Sequence, residues 1–168
     1  MWIKTSEGLI QGILLDLDFA SGPEDGPTFV PDVIPFTFST PFLALDLLEK
    51  ENPQTYVYRH DLESFIWTFL WLILGYAQVE TKTFSVTRWQ LGSRHMIAQS
   101  KRNFLDPETH DKVFQILLQT RSNVNLVESL RKLTNFLAAG HQALYMNESN
   151  WVTAGGYITY DNLMSALD

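Results

Sequence analysis

The sequence contains no cysteine, which excludes disulfides, thiolate metal sites and cysteine nucleophiles. Basic residues are also scarce: 12 Lys and Arg stand against 19 Asp and Glu, which gives a net charge of −7. No run of Lys and Arg is longer than two residues. Because binding to a phosphate backbone requires clustered positive charge, we exclude nucleic acid as a partner.

Common signatures of catalysis and nucleotide binding are missing as well. The sequence has no GxGxxG, GxxxxGKS, HExxH or GxSxG pattern. The 4 histidines, His60, His95, His110 and His141, do not have the spacing of metal ligands, and we interpret each as a surface or packing residue. Residue patterns alone therefore provide no complete catalytic set.

Long hydrophobic runs are absent too. The longest, over residues 65–77, is too short to cross a bilayer, which takes about 20 residues. The N-terminus shows no apolar stretch typical of a signal peptide. We expect an intracellular protein, cytoplasmic or nuclear, with no membrane as partner.

Hydrophobic residues nevertheless make up 45% of the chain, enough to build the core of one domain. Apolar residues at Trp2–Ile3 and 12–17, separated by a turn, predict a short N-terminal β-hairpin. Prolines within residues 20–40 favour an extended loop. The periodicity of the remainder predicts helices, which would lie near Pro41 up to Pro53, over 61–77, over 88–104, from the Asp-Pro-Glu at 106–108 onward, through Leu126–Leu137 with Gly140 after the end, and over 160–168.

The predicted helix over 61–77 is apolar on every face, which is typical of a helix inside a protein. The inward positions predicted for the next helix include Trp89, Met96 and Phe104. The fold class we predict is mainly α (α+β). A short N-terminal β-hairpin would be followed by a helical bundle around a buried central helix.

Two carboxylates, Asp16 and Asp18, stand at the end of the second predicted strand. Alternation along a strand places them on one face, about 6.5 Å apart. They could share a hard divalent cation, because carboxylate oxygens are the ligands such ions prefer. They could equally be acids alternating on the wet face of a hairpin. Spacing alone leaves both interpretations open.

Four blocks, taken in order, resemble the C-terminal lobe of the fungal-type protein kinase family. They are GILLDLDFA (12–20), STPFLALDLL (39–48), YRHDLESFIWTFLWLI (58–73) and RWQLGSRHMIAQSKRNFL (88–105). The resemblance covers residues 1–105 well and the remainder loosely. It implies that residues 1–168 are a single partial kinase domain, the C-lobe from the strands after the catalytic loop onward, with an activation-segment-like loop at 19–43.

The resemblance also implies roles for individual residues. Asp16 corresponds to the Asp of the Asp-Phe-Gly triplet, which binds the Mg²⁺ of Mg-ATP, and Asp18 takes the glycine position of that triplet. Thr40 corresponds to a threonine close to the end of the activation segment. Asp46 corresponds to the Glu of Ala-Pro-Glu and would form an ion pair whose Arg the sequence does not identify. Asp61 would accept hydrogen bonds from the catalytic-loop backbone.

A kinase places its Gly-rich loop, strand Lys, helix Glu and catalytic-loop Asp and Asn before the Asp that corresponds to Asp16. Here residues 1–15 contain neither Asp nor Asn. We therefore expect a C-lobe of an ATP-dependent Ser/Thr kinase that is inactive as this chain. The alternatives are a pseudokinase-like interaction module and an unrelated acidic metal-binding protein. The sequence does not identify a protein partner or substrate.

Overall fold

The computed structural model describes residues 2–4, 8, 10–12, 28–29, 40–49, 55–82, 84–120, 123–146 and 150–168. The fold is mainly helical, which confirms the predicted class at that level. The helices are α1 (Leu45–Glu49), α2 (Tyr58–Tyr76), α3 (Arg94–Leu105), α4 (Pro107–Gln119), α5 (Val124–Tyr145) and α6 (Tyr160–Leu167), with 3₁₀ turns at Thr40–Phe42 and Val86–Trp89.

Among the described residues, four short strands form two antiparallel pairs. Strand β1 (Trp2–Lys4) pairs with β2 (Ile10–Gly12), and β3 (Thr28–Phe29) pairs with β4 (Thr55–Tyr56). The second predicted strand, over 12–17, shares only Gly12 with β2, and its residues 13–17 lie outside the described residues.

A cluster of aromatic side chains forms the centre of the core. The indole of Trp67 on α2 packs edge-on against that of Trp89, with ring centroids 5.1 Å apart. Phe104 from α3 lies 5.8 Å from Trp89 and 5.1 Å from Phe84. All four side chains are fully buried. Edge-to-face pairs of this kind stabilise by about 0.5–1.5 kcal/mol each beyond the burial of their area, so the cluster fixes α3 against α2.

The prediction that α2 is buried all round is wrong. Its inner face, centred on Ile66, Trp67 and Leu70, is buried, but Phe65 and Leu72 on the opposite face are each 52% exposed. The sequence could not separate the two faces, because both carry large apolar residues. Helix α2 therefore packs on one side only and presents an apolar outer face. None of the described helices is both long and apolar enough to traverse a lipid bilayer.

Several helix boundaries differ from those predicted. The first helix was expected from near Pro41, but Thr40–Phe42 form a 3₁₀ turn and α1 begins at Leu45, while α2 begins at Tyr58 instead of residue 61. Helix α3 begins at Arg94 instead of residue 88, because Gly92 has a φ of +116° that breaks the helix and Ser93 caps the new start. Met96, predicted to point inward, is exposed as a result. Helix α5 continues through Gly140, which we expected to follow its end. That glycine is buried inside the helix against Ile158.

The Asp-Pro-Glu signal is confirmed. Helix α4 begins at Pro107, and the side chain of Asp106 accepts a hydrogen bond from the Thr109 amide at 3.2 Å. The C-terminal helix is confirmed as α6, and the Thr159 hydroxyl caps it by accepting from the Asn162 amide.

Candidate functional site

Segment 43–49, which contains α1, is held by side chains from two other helices, α2 and α3. Its central contact is the ion pair between Asp46 and Arg59 of α2, in which Nη2 lies 2.6 Å from Oδ2. The Arg59 side chain is 1% exposed and that of Asp46 17%. Arg59 also donates from Nε to the carbonyl of Trp151 at 2.8 Å. One buried guanidinium thus links the segment to α2 and to the chain after α5.

His60 completes the surroundings of Asp46. The Val57 amide donates to Nδ1 of His60 at 3.1 Å, so Nε2 carries the proton and donates to Asp46 Oδ2 at 3.2 Å. Burial alone would raise the pKa of the Asp46 carboxyl. The hydrogen bonds from His60 and Arg59 outweigh burial and hold that pKa well below its usual value.

Glu63, one turn after Arg59 on α2, is completely buried. Its Oε1 accepts three hydrogen bonds, from the Leu45 amide at 2.7 Å, from Trp67 Nε1 at 2.9 Å and from His141 Nε2 at 2.9 Å. Burial would raise the pKa of Glu63, but the charge and hydrogen bond of His141 lower it to about 2. Glu63 is therefore ionised and fixes the first amide of α1.

Helix α3 adds three cations to the segment. Lys101 is fully buried; its Nζ donates to the Leu43 carbonyl at 2.6 Å and lies 4.6 Å from the centre of the Trp67 ring. The Arg94 guanidinium donates to the carbonyl of Leu47. Arg102 pairs with Glu49 at 2.5 Å on the surface. Burial lowers the pKa of the Lys101 ammonium to about 7, against the attraction of Glu63.

These contacts form a clamp, by which we mean Arg59, His60, Glu63, Lys101 and His141 around segment 43–49. The clamp fixes both the amide and the carbonyl groups of the segment, and it neutralises the carboxylate that the segment carries. Its chemistry is that of a positioning device, since each of these five side chains already forms a hydrogen bond within the protein.

The remaining candidate residues lie in separate places. Thr40 is half-buried at the start of a 3₁₀ turn, and its carbonyl accepts from the Leu43 amide at 3.3 Å. Asp61 is exposed in the first turn of α2 and accepts a hydrogen bond of 2.6 Å from the Tyr56 hydroxyl. Asp16 and Asp18 lie outside the described residues. Among the residues that are described, no group of three or more His, Asp or Glu could hold a metal ion.

Sequence reasoning missed Glu63, Lys101 and His141. Two signals were present: Glu63 is the one acid within the apolar stretch after Asp61, and Lys101 falls at the spacing of the inward positions Ile97 and Phe104. A charged residue at a core position requires a partner, so both indicated buried ion pairs. His141 carried no such signal, since it meets Glu63 only after folding.

The fold and the clamp define a helical domain in which an acidic segment is docked on a half-buried helix. In comparison with known families, residues 1–73 match the model described as fungal protein kinase. This confirms the predicted resemblance over those residues and indicates a kinase-like origin. The fourth block, 88–105, lies beyond the match. Neither the curated proteins nor the solved structures gave a match.

Proposed function

We propose that this chain is the C-lobe portion of a fungal-type protein kinase, a family whose activity is ATP-dependent phosphotransfer to Ser or Thr, and that the chain is inactive by itself. The observation that carries the proposal is the buried pair of Asp46 with Arg59. The family resemblance implies an ion pair at the residue that ends the activation segment, and the residue in that position makes one.

In this proposal Asp16 would hold Mg²⁺, which would supply positive charge to stabilise the phosphates of ATP. Asp18 follows it in the position of a flexible glycine, and residues 19–43 form the activation segment. The clamp has the role of fixing the C-terminal end of that segment. A kinase takes its catalytic base and its second metal ligand from other residues than these, and without them Mg-ATP held at Asp16 would not react.

A second candidate function is a non-catalytic, pseudokinase-like interaction module. The observation that favours it is the outer face of α2. Phe65, Phe69, Leu72 and Tyr76 follow one another at helical spacing along that face, and three of them are exposed by half or more. Large exposed apolar surfaces mark sites where another protein surface binds.

Two measurements distinguish the candidates. The first is sequencing of the transcript upstream of Met1, where a kinase of this family would encode a His-Arg-Asp loop and a Val-Ala-x-Lys strand. Their presence would support the kinase lobe. A transcript that encodes neither would refute it and favour the module.

The second measurement uses the chain itself. We expect no transfer of radiolabelled phosphate from Mg-ATP to a generic protein substrate. Transfer that Asp16→Asn abolishes, and that the exposed control Asp168→Asn leaves intact, would contradict the proposed inactivity. A thermal shift at micromolar Mg-ATP that requires Asp16 would exclude a purely interacting module and support the metal role of this residue.

A further inference from the structure

His141 lies on α5, far from segment 43–49 in the sequence, and yet it belongs to the clamp through its contact with Glu63. Its Nε2 donates to Glu63 Oε1 at 2.9 Å, the oxygen that also accepts from the Leu45 amide. The second oxygen of Glu63, Oε2, is buried without a hydrogen-bond partner in the part of the chain that the structure describes. The Arg59 guanidinium lies 3.9 Å from that oxygen. Glu63 thus depends on His141 for much of its charge balance.

The charged groups around His141 come from three helices. Glu63 and Arg59 face it from α2, and Asp46 acts on it from α1. Lys101 of α3 acts on Glu63 from the other side. Burial lowers the pKa of the His141 ring, but the charge and hydrogen bond of Glu63 and the charge of Asp46 together raise that pKa above its ordinary value. The ring therefore holds its proton to a higher pH than an ordinary histidine does.

Asp46 belongs to the segment, whereas Glu63 and His141 do not. When segment 43–49 docks, it brings a second carboxylate toward Glu63, and like charges oppose that approach. A proton on His141 offsets the repulsion. Binding is reciprocal: since docked Asp46 strengthens the binding of the proton by His141, the proton must strengthen the docking of Asp46 to the same extent.

We propose that His141 is a proton-sensitive positioning residue whose charged ring holds segment 43–49 docked through Glu63 and Asp46, so that docking weakens as the pH rises. If segment 43–49 is the end of an activation segment, this pH dependence would regulate it, and that part of the inference rests on the proposed function. The pH dependence of docking itself follows from the contacts of the clamp alone.

The direction follows from linkage. A histidine whose pKa is higher in the docked state contributes fully below its ordinary value of 6.5, and the contribution is lost as the pH rises through the raised value. Lys101 has the opposite sign, because its pKa is lower in the folded chain and deprotonation favours its burial. The contributions of His141 and Lys101 can therefore be distinguished, because they change the stability of docking with pH in opposite directions.

The test is amide hydrogen exchange of the full chain between about pH 6 and pH 8.5, corrected for intrinsic exchange rates. The reporter is the Leu45 amide, which donates to Glu63, and the reference is the amide of Leu133 in the core of α5. We expect protection of Leu45 to fall a few-fold over this range. The fall should stay below the roughly tenfold change that one full pKa unit would give, because Asp46 is one of several causes.

Three variants test whether the charge of His141 causes this fall in protection. In His141→Gln, which keeps a donor without a charge, protection of Leu45 should be lower at pH 6 and then flat or rising, because the proton of His141 no longer contributes and Lys101 acts with the opposite sign. In His141→Arg, whose guanidinium stays charged through this range, the fall should disappear. His95→Gln, at an exposed position on α3, should behave as wild type.

A flat wild-type profile would overturn the proposal, and so would a His141→Gln variant that keeps the wild-type slope. An equal fall at Leu133 would also overturn it, since His141 would then stabilise the whole fold instead of this segment. No nucleotide enters the measurement. Failure of the kinase assignment, seen in the transcript or with Mg-ATP, would leave its outcome unchanged.

Discussion

Removal of the Arg59 guanidinium should be among the most damaging single changes to this fold. In Arg59→Met the aliphatic part of the side chain is replaced, but the Asp46 carboxylate loses its ion pair and the Trp151 carbonyl loses its donor. A buried pair that loses one partner leaves an uncompensated charge, which typically costs about 3–5 kcal/mol. We expect a loss of that size in the free energy of unfolding.

The same segment provides a matched control. Arg102 pairs with Glu49 at 2.5 Å, but the two side chains are 56% and 27% exposed, so water screens the charges. Exposed pairs contribute about 0–1 kcal/mol, and Arg102→Met should therefore cost no more than that. Both variants exchange Arg for Met and both act on α1, so the difference between them isolates the effect of burial.

Urea unfolding followed by circular dichroism measures both losses, with the slope of the transition as a check on two-state behaviour. If Arg59→Met proves too unstable to purify, Asp46→Asn offers a milder change that keeps the hydrogen-bonding shape. We expect it to cost about 1–3 kcal/mol, because Arg59 is left as a buried charge with Glu63 at 3.9 Å as partial compensation. Equal losses in Arg59→Met and Arg102→Met, or a loss below about 1 kcal/mol in both, would refute the assignment of the clamp as a buried electrostatic anchor.

Two further predictions concern helix surfaces. Gly140→Ala should destabilise the fold by about 1–3 kcal/mol, because the new Cβ would lie 3.0 Å from Ile158. Gly75→Ala, whose Cβ would meet nothing within 4 Å, should stabilise it by about 0.5–1 kcal/mol. Chemical unfolding measures both changes, and a gain in stability for Gly140→Ala would contradict the close packing. The wild-type chain should self-associate through the outer face of α2, and Phe65→Glu with Leu72→Glu should raise the monomer fraction in size-exclusion chromatography. A monodisperse wild-type monomer would contradict this.

Periodicity and capping signals located the helices well, because these are local properties of the sequence. The Asp106 cap and the start of α4 depend on residues that are neighbours in the chain. The outward face of α2 was not predictable in this way. Both of its faces are apolar, and which one is buried depends on where α3 and α5 pack. The prediction that Gly140 follows the end of its helix was wrong for the same reason. The role of this glycine depends on Ile158, which packs against it only in the folded chain.

In the candidate site too, local features could be predicted from the sequence and long-range contacts could not. Asp46 could be singled out from its block, and the spacing of Arg59 and Glu63 places both on one side of a helix. The sequence could not pair Asp46 with Arg59, because the pair depends on how α1 and α2 lie against each other in the folded chain. Nor could it bring His141 to Glu63, which is a contact between residues 78 positions apart. The metal role of Asp16 stays a prediction.

The clamp joins the part of the chain that matches the kinase family model to residues beyond that match. The match ends at residue 73, and the segment it contains is held by groups from beyond that point, namely Lys101, His141 and the carbonyl of Trp151. Within the matched part, Glu63 and Arg59 are buried charges that these groups neutralise or bond. Buried charges without such partners are strongly destabilising. Residues 74–168 are therefore required to hold the kinase-like part in the arrangement described, even though their own sequence lies outside the match.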